Sequence, residues 1–135
     1  FGRLQAVQDI SAVTAACLMI KKTVFDAVHG LDEEFEVALN DVDLCLKVRK
    51  LGKQVVFHPG VEMYHYESKS RGSESSPKKH ERFKKEIARF RNKWSEILEK
   101  GDPYYNENLT LMYGDCRFRG KDEHFDIIEE IEGGK

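Results

Sequence analysis

Between Pro77 and Lys100 the apolar residues Phe83, Ile87, Phe90, Trp94, Ile97 and Leu98 follow one another at spacings of four, three, four, three and one. That is the period of one face of an α-helix, and such a face is stable only when something else covers it. Ser76-Pro77 suits the start of this helix, because proline fits the first helical position, and Gly101 ends it. The opposite face is basic, with nine Lys and Arg against four Glu from Pro77 to Lys100. A face of this kind suits plain solvation, an anionic membrane surface or nucleic acid.

The rest of the chain must supply the cover. Its 135 residues are 40% apolar, enough for one core of single-domain size. A net charge of −2 with 34% charged residues excludes a disordered polyelectrolyte and a uniformly basic nucleic-acid binder. Ala12–Ile20, the longest nearly apolar run, is too short to span a bilayer, which takes roughly 18 residues. Cys17, Cys45 and Cys116 form no Cys-x-x-Cys pair and are odd in number, which fits a reducing cytosolic setting. The first residue is Phe1, with no signal-like segment after it, as expected of a portion of a longer protein.

Asp26–Asp43 holds seven carboxylates (Asp26, Asp32, Glu33, Glu34, Glu36, Asp41 and Asp43) and no Lys or Arg. This is an acidic island in a near-neutral chain. At its end Asn40 is placed to cap a helix over Asp41–Leu51, because Leu44, Cys45, Val48 and Leu51 mark one apolar face and Gly52 stands at the stop. Extending that face backwards predicts Asp41 inward. Asp43, four residues before Lys47, is expected to face solvent in an ion pair.

Ala12–Ile20 reads as a buried strand running into a short helix that starts near Thr23 and stops at Gly30. Gln54–His58 and Val61–Tyr66 read as two strands joined at Pro59-Gly60, with Val61, Met63 and His65 on one face. Ser68–Ser76 contains no apolar residue and is expected to be a surface loop. After Asp102-Pro103 come an irregular aromatic stretch and a short acidic helix, Asp122–Ile131.

Several residues carry chemistry. An Asp in the first turn of a helix favours the dipole, and an Asp held ionised also suits a general base. A lone His such as His65 serves either as a satisfied core residue or as a metal or acid–base group. Asp41, Asp43, His58 and His65 have the composition of a metal-hydrolase ligand set but not its spacing. Ser68-Lys69-Ser70-Arg71-Gly72 is either a solvated linker or a loop that folds over a phosphate.

The ordered motifs Thr14–Ile20, His29-Gly30-Leu31-Asp32-Glu33, Asn40-Asp41-Val42-Asp43-Leu44-Cys45-Leu46-Lys47, Gly52-Lys53, His58-Pro59-Gly60 and Tyr64–Gly72 resemble the C-terminal half of family 2 glycosyltransferases. Asp102-Pro103-Tyr104-Tyr105-Asn106 with Asn108-Leu109 is similar to the ending of bacterial members that build cell-surface polysaccharide, rhamnosyltransferase-like ones included. The resemblance covers about residues 10–110.

It implies an α/β fold, the C-terminal portion of a GT-A fold with a small mixed sheet and flanking helices. The acceptor and catalytic-base part would occupy residues 1–76, with the amphipathic helix and an extension over 77–135. It further implies inverting transfer from a nucleotide-sugar donor to a hydroxyl of a saccharide or lipid-linked acceptor, without nucleic acid. Asp41 would be the base and His65 a ligand of a divalent Mg or Mn ion. Lys69 and Arg71 would meet the donor phosphates, and Gly30, Leu31, Asp32 and Asn40 would line the acceptor side. Asn40 and His29 depart from the family's usual Glu and Gly. The nucleotide-binding half, with its Asp-x-Asp motif, would lie upstream. Such an enzyme would work in the cytoplasm, at the inner face of the plasma membrane if residues 78–93 touch lipid. A non-catalytic binding module built on the same fold is the alternative, and a metal-dependent hydrolase a third.

Overall fold

The computed structural model describes residues 5–66, 77–121 and 123. In chain order the elements are β1 (Gln8–Asp9), a 3-10 turn (Ala15–Cys17), α1 (Lys22–Ala27), α2 (Asn40–Lys50), β2 (Val56–Phe57), α3 (Pro77–Lys93) and α4 (Ser95–Lys100). They fall into two compact units, residues 1–94 and 95–135, so α3 belongs with the part that precedes it.

In the first unit β1 pairs antiparallel with β2, Gln8 opposite Phe57 and Asp9 opposite Val56. The pairing continues in Ile10 N–H donating to the Val55 carbonyl (3.0 Å) and in the Gln54 amide donating to Asp9 (2.8 Å). Val28, Leu44, Cys45, Val48 and Val55 are buried together, and Ile10, Ala12, Val13, Leu18, Ile20, Val24 and Phe25 pack against them. Leu44, Cys45 and Val48 of α2 are buried as their spacing requires, whereas Leu51, expected on the same face, is exposed just past the end of the helix. Gly30 closes α1: its N–H donates to the Phe25 carbonyl (2.9 Å) at φ +64°, and a Cβ there would press on the Phe25 ring at 3.0 Å. Gly52, at φ +71°, stands just past α2 with its N–H donating to the Arg49 carbonyl (2.8 Å).

Several expectations change. Ala12–Ile20 is not a strand. Thr14 Oγ1 accepts from Ala16 N–H (3.3 Å) and starts the 3-10 turn, and Met19 stands fully exposed. The run provides side chains to the core without joining the sheet. Val61–Tyr66 is also irregular and exposed, so the paired strands are β1 with β2 and not the two halves of a hairpin around Pro59-Gly60. Among the described residues the sheet is antiparallel rather than mixed. The long helix is divided at Trp94 into α3 and α4. The expected loop Ser68–Ser76 and, apart from Glu123, the expected helix Asp122–Ile131 lie outside the described residues.

The largest correction concerns the two aspartates of α2. Asp43 is 0% exposed, and Asp41 is half-buried. The single-face argument assumed that the side of α2 away from Leu44 and Val48 met water. It meets α3 instead. Trp94 Nε1 donates to Asp43 Oδ1 (2.9 Å), and Lys93 Nζ lies 2.7 Å from the same oxygen. The expected Asp43–Lys47 pair exists at 3.4 Å, but as a buried contact.

The second unit has its own small polar centre. Leu109 and Phe118 form an antiparallel bridge, flanked by Thr110 N–H donating to the Arg117 carbonyl (2.9 Å) and Arg119 N–H to the Asn108 carbonyl (2.7 Å). Thr110 is fully buried, its carbonyl accepting from Tyr105 Oη (2.7 Å) and its hydroxyl bonded to Glu123.

Removing Asp43 leaves the buried Trp94 N–H without its acceptor and takes one of two carboxylates from Lys93, whereas a half-exposed carboxylate at a helix start contributes modestly. Replacing Asp43 by Ala is expected to destabilise the protein by about 3 kcal/mol in urea denaturation, and Asp41 by Ala by about 1 kcal/mol. Equal losses at the two positions would contradict this assignment.

Candidate active site at the start of helix α2

The acidic island is held in place by α3. Glu86, itself 4% exposed, accepts from the Val37 N–H (3.3 Å) and the Ala38 N–H (2.8 Å). One turn on, Arg89 pairs with Glu34 (2.5 Å). A turn further, Lys93 Nζ bridges Asp32 (2.6 Å) and Asp43 (2.7 Å). Between them the Phe35 and Phe90 rings meet edge to face at 6.1 Å. These contacts recur at helical spacing, so one face of α3 covers the segment 32–38.

The basic face is therefore largely engaged within the molecule. Arg89 and Lys93 serve the acidic segment, Lys85 pairs with Glu81 (2.8 Å), and Arg82 lies 3.8 Å from Glu86. Lys84 and Arg91 have partners too. No helix among the described residues is long and apolar enough to cross a membrane.

The sequence-predicted site residues are distributed as follows. Asp41 sits in the first turn of α2 with Oδ2 accepting from Ala15 N–H (3.1 Å) and Oδ1 from Val42 N–H (2.9 Å). Two backbone donors thus fix the direction of a carboxylate that is still partly open to solvent. No lysine or arginine is paired with it among the described contacts, in contrast to Asp43. Its negative charge reaches Cys45, whose thiol is pushed up first by burial and then by Asp41.

Gly30, Leu31 and Asp32 are tied to both helices: Lys47 Nζ donates to the Gly30 carbonyl (2.5 Å), and Asp32 accepts from Lys93 and from the Glu34 N–H (3.0 Å). Leu31 is exposed and Asn40 half-buried. His65 is exposed on an irregular segment, not on the buried face of a strand. Lys69 and Arg71 lie outside the described residues.

Asp43, Glu86, Lys93 and Trp94 were not singled out as a set by the sequence, although a signal was present. Phe83, Glu86, Phe90 and Lys93 are spaced three, four and three apart, which places two charged residues on the apolar stripe of α3. A buried indole N–H next in sequence to such a Lys also requires an acceptor.

Among the described residues no group of three or more His, Cys, Asp or Glu is arranged to hold a metal. His65 alone does not make a magnesium or manganese site, which needs several oxygen ligands. The described residues therefore do not fit such an ion by themselves.

Asp32 and Lys93 shift one another's titration. Hydrogen bonds from Lys93, then from the Glu34 backbone, hold the Asp32 carboxyl below its usual 3.8. Burial pushes Lys93 down, but hydrogen bonds to Asp32 and Asp43 outweigh it and leave the ammonium above its usual 10.5.

Comparison with known proteins adds to this geometry. No family model matches the chain, and no solved structure does. The chain is 50% identical over 116 residues, 85% of its length, to y4gI of Sinorhizobium fredii, a protein named as uncharacterised, of which that stretch is 13%. It is 35% identical over 119 residues, 88% of its length, to the O-antigen biosynthesis protein RfbC of Myxococcus xanthus, covering 9% of that protein. It is 31% identical over 65 residues, 48% of its length, to the N-acetylglucosaminyl-diphospho-decaprenol L-rhamnosyltransferase of Mycobacterium tuberculosis, covering 21% of it. The chain thus spans less than a quarter of each of these relatives. The names of the Myxococcus and Mycobacterium proteins support a glycosyltransferase-like relationship.

The depressed Asp32 value means its ion pair contributes stability fully above about pH 4, and that this is lost as pH falls through the lower folded value. On the alkaline side the raised Lys93 value keeps the contribution until pH climbs past 10.5. The stability difference between wild type and Asp32→Asn, read from urea unfolding, is expected to stay level from about pH 7 to pH 5 and to shrink as pH falls below about 4. A difference that stays constant would show that the Asp32 charge does not stabilise the fold.

Proposed function

We propose that this chain forms the acceptor side, and supplies the catalytic base, of an inverting family 2 glycosyltransferase of GT-A fold acting in bacterial cell-surface polysaccharide synthesis. The observation that carries the reading is the placement of Asp41. It is a carboxylate partly open to solvent at the start of α2, aimed by two backbone N–H groups and without a paired cation among the described residues, inside a stretch similar to a protein named for O-antigen biosynthesis.

In this reading an acceptor hydroxyl donates its proton to an Asp41 oxygen while its own oxygen attacks the anomeric carbon of the donor sugar. The new carbon–oxygen bond forms as the bond to the nucleotide diphosphate breaks. The diphosphate leaves with the electron pair, and a single displacement inverts the anomeric centre. The proton passes from Asp41 to solvent. Gly30, Leu31, Asp32 and Asn40 border the acceptor. Asp32, already bonded to Lys93 and Glu34, has a fixed direction there.

Lys69 and Arg71 are proposed to meet the donor diphosphate. His65 would be one ligand of a divalent ion whose remaining ligands, like the nucleotide-binding half, come from residues other than those described. The donor is a nucleotide-sugar and the acceptor a saccharide or lipid-linked saccharide, met at the cytoplasmic face of the membrane.

Asp41→Asn keeps the size and one accepting oxygen but removes the carboxylate's basicity. In the full-length protein it is expected to lower the transfer rate by about 10²- to 10⁴-fold while leaving the donor KM nearly unchanged. Turnover at the wild-type rate would remove Asp41 from this role.

A further inference from the structure

Immediately before the proposed base the backbone does something unusual. Leu39 has φ +64° and ψ 0°, a left-handed conformation rarely adopted by residues with a side chain. Such a conformation persists only where the surroundings hold it, and it tends to collect at functional sites. Two sets of hydrogen bonds flank it. After it, the Leu39 carbonyl accepts from Asp43 N–H (2.8 Å), in the first turn of α2. Before it, the Val37 and Ala38 N–H groups donate to separate oxygens of Glu86, which is 48 residues or more away in sequence.

Glu86 is an expensive way to hold a turn. Burying a carboxylate is favourable only when strong partners replace its water, and here they are two backbone N–H groups with Arg82 at 3.8 Å. Packing alone would need no such group, since Ile87 and Phe90 already cover the apolar side of α3. The carboxylate fixes the two peptides from which the chain turns through Leu39 into Asn40 and Asp41. Where that turn sits decides where α2 begins, and so whether Asp41 meets the Ala15 N–H.

We infer that Glu86 is a positioning residue for Asp41: its buried carboxylate, by gripping the Val37 and Ala38 amides, holds Leu39 in its left-handed turn and sets the base for the acceptor hydroxyl. This rests on the assignment of Asp41 as the base. Glu86 lies behind the turn and does not touch substrate.

The test uses the full-length protein with Glu86→Ala, Glu86→Gln and the double variant Glu86→Ala, Leu39→Gly. A small displacement of a catalytic group costs about 10- to 100-fold, so Glu86→Ala is expected to lose that much kcat while the donor KM changes less than about twofold. Glu86→Gln keeps one accepting oxygen and should retain more kcat than Glu86→Ala. Leu39→Gly relieves the strain, because glycine adopts this backbone freely, and should recover part of the loss. Amide hydrogen exchange needs no substrate: in Glu86→Ala the Val37 and Ala38 amides should exchange at least about tenfold faster, with Leu44–Val48 unchanged.

Wild-type kcat in Glu86→Ala overturns the proposal. So does exchange that accelerates equally in Leu44–Val48, which would mark a loss of global stability, and so does Glu86→Gln no better than Glu86→Ala. Asp41→Asn in the same assay separates the two failures. If it is inactive while Glu86→Ala retains full kcat, only the positioning role falls. If it turns over normally, the base assignment falls and takes the positioning role with it.

Discussion

Asp43 is an acidic side chain with no access to water, and much of the first unit follows from the need to satisfy it. A carboxylate cannot leave solvent without a cation and hydrogen-bond donors close at hand. Lys93 and Trp94 provide them from the end of α3, about fifty residues further along the chain. Lys93 also bonds Asp32, so one ammonium fastens α3 to α2 and to the acidic segment before it. Phe35 and Trp94 rings lie 5.4 and 5.7 Å from that ammonium and shelter it.

The near-zero net charge of the chain thus conceals a division of labour. A negative stretch and a positive helix are separated in sequence and matched in space. Asp32, Glu34 and Asp43 meet Lys93, Arg89 and Lys47, and Glu86 serves the backbone. Asp41 stands apart from this exchange, with donors, among the described residues, from the main chain. Two aspartates separated by one valine therefore have unlike fates. One is a buried strut, and the other is a half-buried carboxylate held by the main chain.

Local readings survived where local physics decides the outcome. The turns at Gly30 and Gly52 and the start of α3 at Pro77 follow from backbone freedom and from the missing proline N–H. Of the apolar residues whose spacing marks one helical face, Leu44, Cys45, Val48, Ile87, Phe90 and Trp94 are buried, whereas Leu51 and Leu98 at the helix ends are exposed and Leu46, off the expected face, is buried. Readings that required a neighbour were less secure. Ala12–Ile20 and Val61–Tyr66 have strand-like composition, but a strand exists only where another strand offers its hydrogen bonds, and the pairing went to Gln8–Asp9 and Val56–Phe57. Asp41 was legible as a helix-start carboxylate. The exposed setting of His65 was not, because alternation says which face a side chain takes only if the strand forms.

The amino-acid order by itself determined where α1, α2 and α3 lie, their glycine stops at Gly30 and Gly52, most of the apolar set that fills the core and the segregation of charge into an acidic run and a basic helix. Each of these rests on interactions among residues a few positions apart, which spacing records directly. The order did not determine the break at Trp94 or the start of α2, which Leu39 rather than Asn40 caps. Only the tertiary structure decided which face of the basic helix meets the acidic run, that Asp43 rather than Asp41 is sealed inside, and that Leu39 is held in a left-handed turn by Glu86. Those outcomes depend on partners far away along the chain, and a helical period cannot say whether the side it leaves polar will meet water or an oppositely charged neighbour.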